Sequence, residues 1–518
     1  MPAKLKIKHP WGYFSKIIIL AYAALQLLRL VVLPQFLDIY YHLQTAWGFI
    51  QAGGYSSWDF WEYAPFGRPH IYPPLFHILL ALLMKLGISA IFLAKFFESA
   101  TPVIFLLIIW NFIRKSFCEQ LGFFVVVAFG SAFAFSISLA NHVPSSFALI
   151  FGFLSFKEFF KNRLLRAVIL LVLCFYTHIS VPWFFALSYI FYAIFDKNSR
   201  INSIKVVSYS LLIALPILIF EFLNLPFIHL VGNDLPEKFH LQIKVFNYIL
   251  ACFGLFLATK MKSRHKFFIS LFLGSFVFLI YPARFLSAEG HIPVILASAL
   301  TMQFIWLKLK EKMPRAKEII IVVLIIFILF ISPVLFLDKS AGDSKISYKV
   351  DWVDSAFSGL LLAKGSSIWF PWLYLPAVDI IKANSNSEDI VYSNLNVAGL
   401  ILSSLSQRAT ANALLPEIKP FPQVDPYSVS NIIVLPKDLD QEFINSISSK
   451  YNLIKVKESK YFSVFRNPAP VYRLKIRNAV LGFMVIIGSF FLLAGLFWIE
   501  ELAGIFRTSL KRIRASSV

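Results

Sequence analysis

Two runs, 319–337 and 478–499, extend for about a bilayer's thickness of helix without one charged residue, and a helix needs about 20 apolar residues to cross the hydrocarbon core. Ten further apolar segments, at 15–36, 98–113, 120–139, 144–157, 163–177, 180–195, 203–223, 243–259, 267–282 and 289–307, predict a total of about twelve spans, with eleven to thirteen allowed. The stretch 72–86, YPPLFHILLALLMKL, is also apolar. Counting it as a full span would move every basic loop from Arg114 through Lys317 to the outer side, against the positive-inside rule. It is therefore expected to be an interfacial or re-entrant helix within a long first outer loop, 38–97.

Between 338 and 475 the pattern changes. Apolar runs shorten, turn residues intervene, and helices at 377–383, 397–405 and 439–450 alternate with strands at 389–393, 431–435, 453–456 and 461–465. The fold class expected is a polytopic α-helical membrane protein with a small extracytoplasmic α/β domain before its last span. The domains are 1–337, a transmembrane catalytic body; 338–475, the α/β domain; and 476–518, a final span with a basic cytoplasmic tail.

Composition agrees: 58% of the 518 residues are hydrophobic and 15% charged, and the mean hydropathy is +0.71, which excludes a soluble enzyme. The net charge of +21 would raise nucleic acid as a partner, but between 338 and 475 fifteen Lys and Arg face thirteen Asp and Glu. The excess lies instead in short loops between apolar runs, such as 157–166, 197–205, 260–266 and 308–317, where it marks the cytoplasmic side. Nucleic acid is thus not expected. Both termini are expected in the cytoplasm, the protein in the cell membrane, and the first apolar run retained as a span rather than cleaved. Eight of the ten histidines then fall on the outer side. Three cysteines, Cys118, Cys174 and Cys252, offer neither a disulfide framework nor a CxxC site.

The candidate chemistry lies on that outer face. Asp38 follows the first span by one residue, and its carboxylate is either a helix cap or a functional acid at the membrane surface. His42 lies one turn on, and the loop continues through Asp59, Glu62, Arg68 and His70 among aromatics. Glu98 shares a helix with Lys95 at i, i+3 spacing and is expected to pair with it. Asn141 and His142 break the chain between two apolar runs, and His142 is a candidate ligand for a divalent ion. Arg284, in YPARFLSAEGH, is either a snorkelling residue or a phosphate clamp. GxGxxG, Walker, GxSxG and HExxH motifs are missing, as are the paired broken half-helices of an inverted-repeat transporter.

FLDIYYHLQ, then WDFWEYAPFGR, then YPPLFHILLAL resembles the first outer loop of the GT-C superfamily of membrane glycosyltransferases, most closely the catalytic subunit of archaeal oligosaccharyltransferases. SLANHVPSSFALIFGFLSFKEFF is similar to that family's second outer loop, and ARFLSAEGHIPVILAS to its RF-containing segment. The resemblance implies that Asp38 orients a metal ion and the acceptor, with Mg²⁺ or Mn²⁺ as the cation. It implies that Arg284 holds the lipid-linked phosphate. Asn141 and His142 stand where the family has its second-loop acid, and Asp234 or Glu237 could reach the site in place of its fifth-loop glutamate. The WWDYG signature that reads the acceptor sequon is replaced by the segment beginning Ser393-Asn394-Leu395-Asn396.

The function implied is transfer of a sugar or glycan from a polyprenyl-phosphate-linked donor in the bilayer to an acceptor, protein or glycan, at the extracytoplasmic face. An inverting displacement is expected. A divergent oligosaccharyltransferase is the alternative within the class, a non-catalytic scaffold or lipid-binding protein of the same fold the alternative outside it, and a transporter a distant fourth.

Overall fold

Apolar runs and their punctuation set the helices of the membrane body. The computed structural model describes residues 10–34, 37–132, 139, 141–224, 239–280, 282–311, 323, 326, 333–340, 343–350, 371–413, 424–476, 488, 491, 492 and 495. Helix α1 (Pro10–Leu27) runs into a 3₁₀ turn, Leu28–Val31, and α2 (Asp38–Ala52) begins the first loop. Gly53 ends α2 in the left-handed conformation with φ 76°, its N–H returned to Ile50 O, a stop that a side chain would disfavour. Helix α3 (Leu75–Lys85) follows Pro74, and α4 (Ala90–Ser116) is opened by Ser89, whose side chain accepts the Phe92 N–H.

The body continues with α5 (Glu119–Ser131), α6 (Val143–Phe159), α7 (Leu164–Phe175), α8 (Val181–Phe195), α9 (Arg200–Asn224), α10 (Val245–Lys260), α11 (Lys266–Gly274), α12 (Pro282–Ser287) and α13 (His291–Lys310). Among the described residues five helical stretches are long and apolar enough to cross a membrane; α5, α7, α8 and α10 occupy other expected spans as shorter apolar helices. Large side chains such as Leu20, Phe222, Phe253 and Phe256 project outward, as a lipid-facing surface requires. Inside, aromatic rings fill the body: Phe156 stacks on Tyr189 with centroids 3.9 Å apart, and a Cβ on Gly152 would meet the Phe185 ring at 2.0 Å. The chain is a multi-pass membrane protein.

Two sequence expectations are corrected here. Glu98 pairs with Arg29, buried beside it, rather than with Lys95 on its own helix; a charge at that depth takes the partner that tertiary packing supplies. The span expected over 319–337 does not reach Leu337, because Pro333–Ser340 form a strand. Pro333 cannot donate a helical hydrogen bond and biases its predecessor toward extended backbone. Val323 and Ile326 are helical, and the rest of 312–332 lies outside the described residues, as does most of the span at 478–499.

The strands β1 (Trp58–Asp59) and β2 (Arg68–Pro69) make a small ribbon within the first loop. A second sheet sets β3 (Phe239–Ile243), β4 (Pro333–Ser340) and β5 (Asp343–Val350) antiparallel. The α/β unit contributes α14 (Pro371–Ala383), β6 (Ile390–Ser393), α15 (Asn396–Ser406), β7 (Ala409–Thr410), α16 (Pro426–Val429), β8 (Ile432–Pro436), α17 (Gln441–Lys450), β9 (Ile454–Glu458) and β10 (Phe462–Arg466), with sheet order β7-β6-β8-β10-β9. β6 runs parallel to β7 and β8, whereas β10 runs antiparallel to β8 and β9. The alternating expectation holds, with β7 and α16 as additions too short to show a pattern.

This unit is seated on the first loop. Thr410 N–H donates to Trp61 O at 2.9 Å and Ala64 N–H to Thr410 O at 3.0 Å. One hydrophobic cluster runs from Tyr40, Leu43 and Trp47 on α2 to Ile401, Leu402 and Leu405 on α15.

Candidate active site

The polar groups converge where α2, α6 and α8 begin. Asp38 is the first residue of α2 and follows Leu37, the N-cap residue, whose side chain makes no capping hydrogen bond. His142 precedes Val143 at the start of α6, turned by φ −97° and ψ 65° ahead of Pro144. Its Nδ1 lies 3.1 Å from Asp38 Oδ2, and the two side chains are 24% and 28% exposed. Residues 104 apart in sequence are thus paired at a position that an incoming molecule can reach. The aspartate is oriented by a histidine from another loop.

A second grouping adjoins the first. His178, in the turn between α7 and α8, accepts the Ser180 and Val181 backbone N–H groups at Nδ1, at 3.1 and 3.3 Å. Those two bonds put the ring's own hydrogen on Nε2. That Nε2 lies 3.4 Å from Arg284 Nη1, so a neutral donor and a cationic donor face the same space. Burial first, and the Arg284 charge second, push the His178 pKa well below its ordinary value. Arg284 Nη1 also approaches Ser180 Oγ at 3.5 Å and Glu289 Oε1 at 3.4 Å. Glu289 is 3% exposed at the side chain and Arg284 29%, so a buried carboxylate anchors a partly exposed guanidinium. Two donors side by side, one of them cationic, suit an anion.

Tyr72 joins the two groupings: its ring centroid is 5.2 Å from that of His42 and 5.8 Å from that of His178. His42, one turn along α2 from Asp38, is buried, and its Nδ1 is 2.8 Å from His77 Nε2 on α3. Burial lowers the His42 pKa to about 3, against the raising effect of Asp38. The ring is neutral at physiological pH and packs behind Asp38. Leu75 N–H donates to Tyr176 O at 2.8 Å, tying the first loop to the turn that carries His178.

Asp59, Glu62 and Arg68 do not join the opening. They are buried together in the β1–β2 ribbon, with Arg68 Nε 3.4 Å from Asp59, its Nη2 against Glu62, and His70 Nδ1 2.6 Å from Asp59. Burial opposes the Arg68 charge, but the Glu62 and Asp59 carboxylates outweigh it and hold the pKa above its ordinary value. Asn141 adjoins His142, its buried Oδ1 without a hydrogen-bond partner among the described residues. Asp234 and Glu237 lie outside the described residues. Among those described, no group of three or more His, Cys, Asp and Glu is arranged to hold a metal; Asp38 and His142 are a pair of donors. His178, Ser180 and Glu289 were not foreseen as site residues, although the segment Thr177-His178-Ile179-Ser180 between two apolar runs was a signal of the kind that singled out His142.

A helical membrane body, an acid-bearing first loop and an α/β unit resting on that loop define the GT-C fold, and the chain has the fold of these membrane glycosyltransferases. No protein-family model matches the chain, and no curated protein matches its sequence. Among solved structures it is similar to the Archaeoglobus fulgidus oligosaccharyltransferase in complex with Zn and sulfate, with TM-score 0.53 and 11% identity over 88% of this chain and 74% of that one. It is equally similar to AglB, the oligosaccharyltransferase of the same organism, in complex with an inhibitory peptide and a dolichol-phosphate, with TM-score 0.53, 11% identity and coverage of 89% and 75%. ArnT from Cupriavidus metallidurans in the apo state gives TM-score 0.52 and 11% identity over 88% of this chain and 98% of that one.

Proposed function

We propose that the chain is a glycosyltransferase that moves a sugar or glycan from a polyprenyl-phosphate-linked donor to an acceptor at the extracytoplasmic face. The observation that carries this reading is the closeness of Arg284 and His178, 3.4 Å apart, near the partly exposed Asp38–His142 pair. The fold neighbours include one solved with sulfate and one with dolichol-phosphate. A donor anchored in the bilayer needs a polar site opening at headgroup depth, and these residues lie at the ends of membrane helices.

In the proposed step, the acceptor's lone pair attacks the anomeric carbon as the carbon–phosphate-oxygen bond breaks, with inversion. The bonding electrons leave on the phosphate oxygen, where Arg284 and the Nε2–H of neutral His178 stabilise the charge. The acceptor's proton passes to the Asp38 carboxylate, which His142 holds in place. Glu289 fixes the guanidinium from its buried side. Asp38 and His142 would also hold a divalent cation, for which one carboxylate and one imidazole are suitable donors, Mn²⁺ more readily than Mg²⁺ because of the imidazole. Bound there, the cation would supply a fixed positive charge for the departing phosphate. Asp234 and Glu237 are further candidate ligands.

The site is proposed to face outward, with 338–475 outside and the loops at 114–119 and 260–266 in the cytoplasm. In a background stripped of native cysteines, labelling of a cysteine placed at Ser116 or Ser263 from outside intact cells would reverse that orientation. The function is tested by incubating purified protein with a panel of polyprenyl-phosphate sugars, with and without Mg²⁺ or Mn²⁺, and following sugar release. Transfer to an Asn-x-Thr peptide would define a divergent oligosaccharyltransferase. No turnover across the panel would favour the non-catalytic scaffold.

A further inference from the structure

Helices α6 and α8 both start at the candidate active site and both end at a second polar feature. α6 has 17 residues and α8 has 15; at about 1.5 Å per residue this places the feature roughly 20–25 Å away, at the other end of the bundle. There a cavity of ≈ 160 Å³ opens between three loops, lined by Asn162, Asp196, Asn198, Asn202, Tyr192 and Arg264. A water needs about 10–15 Å³ by this measure, so the cavity takes roughly ten water-sized groups. That is the bulk of a headgroup rather than an acyl chain.

The lining names the chemistry. Three amides can each donate and accept, which suits hydroxyl groups. Asp196, buried, has its carboxylate engaged by the Asn198 N–H at 3.2 Å and by Ser263, Ser199 and Tyr192, so it ties the loop after α8 to the loop that carries Arg264. Phe159 and Phe160 join Tyr192 in an aromatic floor against which the C–H face of a ring can lie. Around the cavity, 157–166, 197–205 and 260–266 carry eleven Lys and Arg against Glu158, and Glu158 is already paired with Lys161 and Arg163. Basic clusters beside apolar spans lie at headgroup depth and attract anionic lipid.

We propose that this cavity binds the headgroup of an anionic phospholipid in which a hydroxylated ring is joined through a phosphodiester, the ring in the amide-lined cavity and the phosphate on Arg264. This site is separate from the donor site and does not depend on its assignment.

The test is native mass spectrometry of the full chain in detergent, titrated with dioctanoyl phosphatidylinositol, with dioctanoyl phosphatidylcholine and with soluble inositol 1-phosphate. Phosphatidylinositol should bind at least tenfold more tightly than phosphatidylcholine. Arg264→Gln should weaken it roughly tenfold or more, as loss of a charge-assisted hydrogen bond does, and Asn202→Ala, which keeps every charge, should weaken it several-fold. Equal affinity for the two lipids, or undiminished binding in both variants, would overturn the proposal. Inositol 1-phosphate binding as tightly as the lipid would overturn the lipid as the source.

Discussion

The first loop contributes to two aspartate–histidine pairs. Asp59 and His70 lie 2.6 Å apart at 1% and 0% exposure, with Arg68 against the same carboxylate. Asp38 and His142 lie 3.1 Å apart, each about a quarter exposed, and they come from different loops. The residue types are the same and the surroundings differ. In the buried pair the same carboxylate also meets Arg68, which serves Glu62 as well, and the cluster is shut inside the first loop. In the open pair the carboxylate meets His142 and stays partly exposed, which is what the proposed role requires. Burial and the neighbouring cation, rather than the side chains themselves, separate the two pairs.

The strongest way to break this comparison is Arg68→Ala. It leaves Asp59 and Glu62 buried without their cation, and breaking a buried pair costs about 3–5 kcal/mol. Chemical unfolding in detergent should show a loss of that size, while sugar release per folded molecule stays near wild type. Normal stability with lost turnover would instead put the ribbon in the active site.

Arg284→Ala comes next. Losing charge-assisted hydrogen bonds to an anion costs about 1.5–3 kcal/mol, or roughly ten- to a hundred-fold in donor affinity, with little change in stability because the side chain is partly exposed. Lysine should recover only part, since it lacks the planar fork. Unchanged donor binding in the alanine variant would return Arg284 to a snorkelling role.

The third way to sharpen the comparison, read as a pH dependence rather than at one pH, concerns His42. Its folded pKa of about 3 lies below the unfolded value near 6.5. The unfolded chain therefore takes up a proton that the folded one refuses. The contribution is fully present above about pH 6.5 and is lost as pH falls toward 3, at a slope of up to about 1.4 kcal/mol per pH unit. His42→Gln should flatten the acid limb of a stability–pH curve; equal slopes in the two proteins would mean that His42 is charged in the fold.

Much of this was legible in the sequence. An acid directly after an apolar run, a polar break ahead of Pro144 and an arginine between two short apolar segments singled out Asp38, His142 and Arg284, and the period of the apolar positions outlined the α/β unit. What was not legible depends on tertiary distance. Nothing local distinguishes Asp59, Glu62 and Arg68 as mutually buried from the same residues lining an opening. Arg29 is 69 residues from Glu98, beyond any helix-spacing rule. His178 presents an N–H beside Arg284 only because two backbone N–H groups occupy its other nitrogen. Pro333 was an available signal that hydropathy overrode.

The central claim is that the open pair does the chemistry, and Asp38→Asn tests it most directly. Asparagine keeps the size and would serve a helix start about as well, so only the charge is removed. Release of labelled sugar from a polyprenyl-phosphate donor by wild type and variant, matched for thermal stability, should differ by at least the roughly 10²–10⁴-fold of a general acid–base group. Equal turnover by the two proteins would contradict the account and move the active site away from the start of α2.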